Sequence, residues 1–176
     1  MAKKTQRGGG TPATAALDGA GIRYAVRSYE HDPAAASFGV EAAAALGVAP
    51  ERVFKTLLVD TDQGLGVGIV PVAGLLDLKA MAAALGSKKA TMADPDVAER
   101  TTGYVVGAIS PIGQRKALPT VLDVSALDFA TILVSGGKRG LDVELAPGDL
   151  IGITRAVTAS IARPGGVAQR RDPASA

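Results

Sequence analysis

A run of apolar residues at positions 52–60, RVFKTLLVD, carries a single lysine in its middle. The run has the length and composition of a β-strand, whose side chains alternate between two faces. Lys55 would share one face with valine and leucine side chains, and the other face would be equally apolar as far as Asp60. An ammonium group in such surroundings is costly unless it reaches water or a partner. The ammonium group of Lys55 therefore either reaches solvent at the edge of the apolar surface or lies in a cavity, where its charge stabilises an anionic substrate group.

The pattern on either side of this strand predicts an α+β fold. Helices are predicted at TAALDGAG, at VEAAAAL between an N-cap at Ser37 and a stop at Gly47, at LKAMAAAL after Asp77, after Asp94 and Pro95, and in GDLIGIT. Strands are predicted at IRYAVRSYE, RVFKTLLVD, LGVGIVPV, TVLDV, ATILVS, LDVEL and AVTASIA. DTDQG and GGKRG are hairpin signals between consecutive strands. These features favour a mixed, mainly antiparallel, barrel-like sheet that is flanked by short helices.

Charge and composition divide the chain into one domain and two tails. We predict flexible tails at residues 1–12 and 164–176, where no apolar period is visible, and one domain at residues 13–163. The formal net charge is +2, but residues 13–162 contain 13 basic and 16 acidic side chains, a net charge of −3. The excess positive charge therefore belongs to the tails, and it is weak evidence for a nucleic-acid-binding surface on the domain.

The inventory of reactive residues excludes several kinds of site. The 176-residue chain has no cysteine and one histidine, so a disulfide, a thiolate nucleophile or a His/Cys zinc site cannot be built. We expect no metal or other cofactor. We also expect the single histidine, His31, to be a loop residue with a local hydrogen bond rather than a catalytic base. No segment resembles a signal peptide or a membrane span, which predicts a cytoplasmic protein without a membrane partner. We also expect no DNA partner.

Three glycine-containing segments invite a functional interpretation. GLGVG at 64–68 lies in a hairpin with no following helix, so it is not a dinucleotide-binding loop. SGGKRG at 135–140 is either a structural turn or a place where glycine amides beside two cations hold a phosphate or a ribose. GAISPIGQRK at 107–116 is a loop, and it is either a surface connection or an oxyanion cradle built on the amides of Gly107 and Ala108.

Five segments occur in an order that is similar to a known family. They are YEHDP, EAAAALGVAPERVFKTLLVD, the KKA of residues 88–90, GYVVGAISPIGQRK and LVSGGKRGLDVEL, and they span most of residues 22–162. The set resembles the YbaK/EbsC family, free-standing aminoacyl-tRNA editing proteins related to the insertion domain of bacterial prolyl-tRNA synthetases. The resemblance implies the YbaK/prolyl-tRNA synthetase-associated domain fold. It also implies hydrolysis of mischarged Cys-tRNA(Pro) in trans, with the 3′ aminoacyl end of the tRNA as substrate and prolyl-tRNA synthetase as a partner.

The resemblance implies which residues form the site. Lys55 matches the family's key lysine, which lines the editing pocket. The catalytic residues implied are Lys55, Gly107 and Asp142, and the substrate-binding residues implied are Tyr29, Phe38, Thr56 and Ser135. Two positions depart from the family's usual pattern, because Ala108 replaces a glycine of GGISP and Gly137 follows Gly136 where Ala-Gly is common.

For this reaction the chain has no obvious nucleophile of its own, since it has no cysteine and nothing in the sequence around His31 supports a catalytic role. Either water or the thiol of the cysteinyl substrate must then attack the ester, and the resemblance suggests the thiol. In both routes we expect Lys55 to orient and polarise the ester, with the Gly107 loop and Asp142 positioning the aminoacyl-adenosine end.

Two other functions are compatible with the same residues. A sister activity would deacylate Ala-tRNA(Pro) or another mischarged tRNA, because specificity depends on a pocket volume that the sequence does not reveal. A non-catalytic module would hold tRNA ends or the synthetase without turnover. A thiol-dependent route would leave alanyl and seryl esters intact, whereas attack by water would not.

Overall fold

The computed structural model of the chain describes residues 10–35 and 37–165. In this part of the chain the helices are α1 (Pro12–Gly19), α2 (Phe38–Leu46), α3 (Leu78–Ala84), α4 (Pro95–Thr102) and α5 (Pro147–Thr154), with 3₁₀ turns at Pro50–Arg52 and Val124–Asp128. The strands are β1 (Ala25–Ser28), β2 (Phe54–Thr61), β3 (Gly64–Pro71), β4 (Gly74–Leu76), β5 (Ala90–Met92), β6 (Thr120–Asp123), β7 (Ile132–Lys138), β8 (Leu141–Leu145), β9 (Val157–Ala159) and β10 (Ala162–Pro164). Most of the two predicted tails, residues 1–9 and 166–176, lies outside the described residues. Thr11 and Pro12 form the start of α1.

The described strands form three sheets. The three-stranded sheet has the order β1-β8-β7 and is antiparallel, and the five-stranded sheet has the order β5-β2-β3-β6-β9. Pairing in the five-stranded sheet is antiparallel from β5 to β3 and parallel from β3 to β9, and β4 and β10 form a separate antiparallel pair. The prediction of an α+β fold with a mixed, mainly antiparallel sheet is confirmed.

The two larger sheets meet along one line but do not close into a barrel within the described residues. An isolated bridge between Val53 and Leu133 joins the beginning of β2 to β7. We call the line between β2 and β7 the seam. Beyond this bridge β2 and β7 are not paired, so the seam opens towards the end of β2.

Helix boundaries follow the local capping signals. Ser37 accepts a hydrogen bond from the amide of Val40 at 3.4 Å, and Gly47 ends α2 with a φ of +63°, in the left-handed conformation that glycine tolerates best. Asp77 caps α3 by accepting hydrogen bonds from the first amides of that helix, and Asp94 does the same for α4. The caps predicted from the sequence are confirmed, and α2 is thereby fixed in front of β2.

Both faces of β2 are covered, as the apolar run predicts. Phe54 and Leu58 are buried in the main core, which also contains side chains of α1, β7 and β8. Val53 and Val59 belong to two smaller clusters on the other side of the strand. Lys55 is partly buried between them.

Two loops differ from the prediction. β7 continues through Lys138, so only Arg139 and Gly140 connect it to β8, and the register shifts between Ser135 and Lys138. A shift of this kind is a β-bulge, which glycines accommodate. The segment at 107–116 is a loop, as predicted, but it is a surface connection only in its second half: most residues from Ala108 to Ile112 are buried, and most of those from Gly113 to Lys116 are exposed.

Asp123 joins β6 to the chain leading into β10. It is 4% exposed and accepts hydrogen bonds from the amides of Ile161 and Ala162, both at 2.9 Å, and from the hydroxyl of Ser125 at 2.5 Å. Burial raises the pKa of this carboxyl group, but the hydrogen bonds outweigh burial and hold the pKa below its ordinary value.

We expect Asp123→Asn to lower the free energy of unfolding by about 2 kcal/mol at pH 7, because an amide replaces a charged acceptor. A depressed folded-state pKa contributes stability that is present above the unfolded-state pKa and is lost as the pH falls through the folded-state pKa. The difference between variant and wild type should therefore shrink below about pH 4. Urea unfolding at pH 7 and pH 3 measures it, with the exposed Asp128→Asn as the matched control. A loss that is equal at both pH values would contradict this account.

Candidate functional site

A pocket of about 380 Å³ lies at the open part of the seam. Its wall is formed by β2, by the β7–β8 hairpin, by the segment from β1 to α2, by the chain from β5 into α4 and by the loop after α4. The wall includes all the residues predicted for the site, which are Tyr29, Phe38, Lys55, Thr56, Gly107, Ser135 and Asp142. The fold thus brings together seven residues that are up to 113 positions apart in the chain.

Strand pairing places the polar residues on opposite walls. β2 pairs with β5 only from Val59 to Thr61, so the outer edge of β2 around Lys55 and Thr56 faces the pocket instead of another strand. Across the seam, Ser135 and Asp142 are directly opposite each other in the β7–β8 pairing.

Lys55 is held in the pocket wall without a counter-ion. Among the described residues no carboxylate lies within 4.0 Å of its ammonium group, since the ion pairs found there involve Arg27, His31 and Arg52. Burial lowers the pKa of the lysine because the charged form loses hydration. The side chain therefore presents a poorly solvated positive charge to whatever enters the pocket.

Asp142 is the acidic counterpart on the other wall. The residue is 5% exposed, and burial raises the pKa of its carboxyl group to about 7. Burial also raises the pKa of Tyr29 to about 12, and the nearby Asp142 contributes to this increase. A carboxyl group with a pKa near 7 is able both to donate and to accept a hydrogen bond at neutral pH.

Thr56 and Ser135 differ in the hydrogen bonds that their hydroxyl groups make within the protein. The hydroxyl of Thr56 is buried and has no hydrogen-bond partner among the described residues. The hydroxyl of Ser135 donates to the carbonyl oxygen of Ala108 at 3.1 Å and accepts from the amide of Gly137 at 3.1 Å. Ser135 therefore anchors the loop that carries Gly107, and its oxygen retains capacity only as an acceptor.

Gly107 packs against Phe38 in a conformation that favours glycine. Its φ is +87°, and a β-carbon at this position would lie 2.7 Å from Cε2 of the Phe38 ring. The amide of Ala108 donates to the carbonyl oxygen of Val105 at 2.9 Å, so it cannot serve as an oxyanion donor as the sequence suggested. The amide of Gly107 has no acceptor among the described residues and is the one available for that role.

Phe38 is held from two further sides. The His31 ring stacks on it with centroids 5.5 Å apart, and the Arg139 guanidinium lies 5.2 Å from its centroid. His31 is also hydrogen-bonded to Glu41 at 3.0 Å, which agrees with the prediction of a loop residue with a local hydrogen bond. Arg139 donates to the carbonyl oxygen of Val106 at 3.0 Å and so ties the hairpin turn to the Gly107 loop.

Several wall residues were not among the predicted site residues. They are apolar residues of the chain from β5 into α4 (Met92, Ala93, Pro95 and Ala98), together with Ile109 and the exposed Lys138. The two cations of SGGKRG were the only signal in the sequence for Lys138. Nothing local marks the apolar residues, because their place in the wall depends on how β5 and α4 pack against β2.

The described residues contain neither a metal-binding cluster nor a membrane-spanning helix. They contain no group of three or more histidine, cysteine, aspartate or glutamate side chains placed to hold a metal ion. No helix in the same part of the chain has the length and apolar character needed to cross a membrane.

A family model for the aminoacyl-tRNA editing domain matches residues 32–153. The chain belongs to the aminoacyl-tRNA editing domain family. The matched range includes every polar residue of the pocket except Tyr29.

Two curated proteins are similar to this chain in sequence. A protein of Enterococcus faecalis (strain ATCC 700802 / V583), provisionally named Cys-tRNA(Pro)/Cys-tRNA(Cys) deacylase EbsC, is 42% identical over 120 residues, which cover 68% of this chain and 73% of that protein. The uncharacterised protein YwhH of Bacillus subtilis (strain 168) is 31% identical over 112 residues, 62% of this chain and 70% of that protein.

Two solved structures share the fold. One is provisionally described as a trans-editing enzyme for prolyl-tRNA synthetase, with a TM-score of 0.77 and 25% sequence identity. The matched region covers 86% of this chain and 95% of the chain in that structure. The other is the hypothetical protein APE2540, with a TM-score of 0.78 and 23% sequence identity. Here the matched region covers 87% of this chain and 100% of the APE2540 chain. The second likeness concerns the fold alone.

The raised pKa of Asp142 leads us to predict how the stability of the protein depends on pH, and this prediction does not involve the substrate. A carboxyl group whose folded-state pKa is raised contributes stability that is fully present below the unfolded-state pKa and is lost as the pH rises through the folded-state pKa. The amide that Asp142→Asn introduces does not titrate, so we expect the variant to be more stable than wild type at pH 8, by an amount on the order of 4 kcal/mol, and to lose this advantage below about pH 4.

Chemical denaturation across this pH range measures the effect, with Asp60→Asn on exposed β2 surface as the matched control. An Asp142→Asn variant that is less stable than wild type at pH 8 would show that the carboxylate is stabilised by a partner, contrary to the arrangement described above.

Proposed function

We propose that this protein is a trans-acting aminoacyl-tRNA deacylase that hydrolyses the ester of mischarged Cys-tRNA(Pro). The observation that carries the proposal is that three polar side chains, Lys55, Thr56 and Asp142, surround one pocket. None of the three has a hydrogen-bond or ion-pair partner for its side chain among the described residues. Buried polar groups without partners cost free energy, so a site that retains them is built for a polar ligand. Membership of the editing family supports an aminoacyl ester as that ligand. The provisional names of the EbsC protein and of the trans-editing structure support cysteine and tRNA(Pro).

The pocket has groups suited to stabilising the transition state of ester cleavage. When the carbonyl carbon is attacked, its oxygen acquires negative charge, and preorganised donors at that position lower the barrier. The ammonium of Lys55 supplies a poorly solvated positive charge, and the free amide of Gly107 supplies a hydrogen-bond donor. Asp142 and Thr56 position the aminoacyl-adenosine end through hydrogen bonds.

The nucleophile in this proposal is the thiol of the substrate. The sulfur forms a bond to the carbonyl carbon of its own aminoacyl group, the bond from that carbon to the ribose oxygen breaks, and the proton lost by the thiol is taken up by the ribose oxygen. Deacylated tRNA is released, and water later opens the cyclic thioester. The route is supported by the residue inventory, since the chain has no cysteine and its one histidine is hydrogen-bonded to Glu41.

Prolyl-tRNA synthetase is the partner that we propose to deliver the tRNA. Residues 13–162 have a net charge of −3, and such a domain is not expected to hold the tRNA phosphate backbone tightly by itself. A complex with the synthetase would supply both the tRNA contacts and the choice of tRNA.

Deacylation of Ala-tRNA(Pro) is the second candidate. It is favoured by the wall formed by Met92, Pro95 and Ala98, which is apolar and contains no group that would distinguish a thiol from a methyl group. In that case water must be the nucleophile.

We expect Lys55→Ala to reduce the deacylation rate of Cys-tRNA(Pro) by at least about 100-fold, because the loss of one preorganised electrostatic group typically costs that much. Single-turnover assays with Cys-, Ala- and Ser-tRNA(Pro), side by side, measure the effect. Lys79→Ala is the matched control, since Lys79 is an exposed lysine on α3 outside the pocket wall. The control should retain the wild-type rate.

The three substrates separate the candidates. Turnover of the cysteinyl ester alone, lost in Lys55→Ala, is the expected result and supports attack by the thiol. Turnover of the alanyl and seryl esters would assign the protein to the sister activity with water as nucleophile. No turnover of any of them would leave a binding module, and full activity of Lys55→Ala would remove the lysine from the mechanism.

A further inference from the structure

A cluster of charged and polar side chains lies at the closed end of the seam. Glu144 accepts hydrogen bonds from Arg27 at 2.5 Å, from Arg52 at 3.1 Å and from the hydroxyl of Thr131 at 2.6 Å. Arg52 also donates to the hydroxyl and the carbonyl oxygen of Thr131, at 2.9 Å and 3.2 Å. None of these residues lines the pocket, and the deacylation chemistry does not use them.

The two arginines of the cluster connect different parts of the fold. Arg27 lies on β1, which belongs to the same three-stranded sheet as the β8 residue Glu144. Arg52 ends the 3₁₀ turn immediately before β2, which belongs to the five-stranded sheet. The contacts of Arg52 therefore cross the seam, whereas the contact of Arg27 stays within one sheet.

The cross-seam contacts lie next to the residues that form the pocket. Arg52 is three positions before Lys55, and Glu144 is two positions after Asp142, so the two acidic residues project from the same face of β8. Glu144 is directly opposite Leu133, which makes the isolated bridge to Val53. Glu144 is thus about 7 Å along the strand from Asp142. Arg27 lies directly opposite Asp142 in the β1–β8 pairing, but its ion pair is with Glu144.

One bridge is a weak connection between two sheets, and the Arg52 contacts reinforce it at the same point. The hydrogen bond from Thr131 has the largest effect on the pKa of Glu144, and together with the two arginines it outweighs burial and holds that pKa below its ordinary value. Glu144 is therefore ionised at neutral pH, and its contacts with Arg52 are charge-assisted.

We propose that Arg52 is a positioning residue that keeps the seam closed beside the Val53–Leu133 bridge and thereby fixes Lys55 and Thr56 on one wall of the pocket relative to Ser135 and Asp142 on the other. A displacement of about 1 Å between reacting groups is enough to reduce a rate by about two orders of magnitude. Loss of Arg52 should therefore impair the reaction although the residue touches no substrate. This catalytic consequence rests on the proposed function, whereas the closure of the seam does not.

The variants Arg52→Gln and Arg27→Gln test the proposal as a matched pair. Each removes one charged partner from the same carboxylate, and the two arginine side chains are similarly exposed, at 31% and 34%. We expect a decrease in the thermal midpoint for both variants, and a larger one for Arg52→Gln, because Arg52 also bonds to Thr131. Hydrogen–deuterium exchange of the full chain should become faster in peptides that contain residues 53–58 in Arg52→Gln, and not in Arg27→Gln.

The kinetic readout should separate the two variants further. Arg52→Gln should reduce kcat for Cys-tRNA(Pro) by ten- to a hundredfold with less than a threefold change in KM, because the lysine is misplaced while the other wall still binds substrate. Arg27→Gln should stay within threefold of wild type. Arg52→Lys, which keeps a charge but not the fork that reaches both Glu144 and Thr131, should recover part of the kcat.

Each outcome decides the proposal. Equal effects of the two glutamine variants on both exchange and kcat, or no effect of Arg52→Gln on either, would overturn it. If the wild-type protein turns over none of the tRNA substrates, the proposed function fails, and the exchange data alone decide whether Arg52 closes the seam. Uniformly faster exchange across all peptides of Arg52→Gln would show general destabilisation and would also overturn the proposal.

Discussion

The pocket depends on a strand that is paired along one edge for its whole length and along the other edge only at its end. β2 pairs with β3 from Phe54 to Thr61, but its outer edge pairs with β5 only over the last three residues. Its main-chain pairing with β7 is limited, among the described residues, to the bridge of Val53, the residue before β2. An unpaired strand edge exposes main-chain donors and acceptors, and proteins usually cover it. Here the segments that approach this edge from α2, the loop after α4 and the β7–β8 hairpin leave a gap.

The same desolvation accounts for both unusual titrations in this gap. Burial lowers the pKa of Lys55 and raises that of Asp142, so each group is displaced towards its neutral form. A direct ion pair would reverse both shifts, yet the two groups are more than 4.0 Å apart. Keeping them apart reduces stability, and it leaves a positive charge and a titratable carboxyl group available to a ligand. Such a conflict between stability and availability is typical of functional sites.

Local features of the sequence account for most of the elements but not for their assembly. The N-caps at Ser37, Asp77 and Asp94 and the β2–β3 hairpin depend on neighbouring residues, so they could be predicted. The three-residue strands β4, β5 and β10 carry too little periodicity to be found, and the parallel pairing of β3 with β6 joins residues about 50 positions apart. The resemblance to an editing family, rather than any local pattern, was what connected Lys55 with Asp142. Neither source of information pointed to Arg52 and Glu144, whose contact is separated by 92 positions.

The loop that carries Gly107 shows how the surrounding structure can control a single donor. Ser135 holds this loop from β7, Arg139 holds it from the hairpin turn, and Phe38 covers Gly107 at a distance that excludes a larger side chain. Within the loop, the turn uses the amide of Ala108 and leaves the amide of Gly107 free. The amide of Gly107 and the ammonium of Lys55 can stabilise charge but cannot attack a carbonyl carbon. Under the proposed function, selectivity would then come from the substrate, because only an aminoacyl group that brings its own nucleophile would be cleaved.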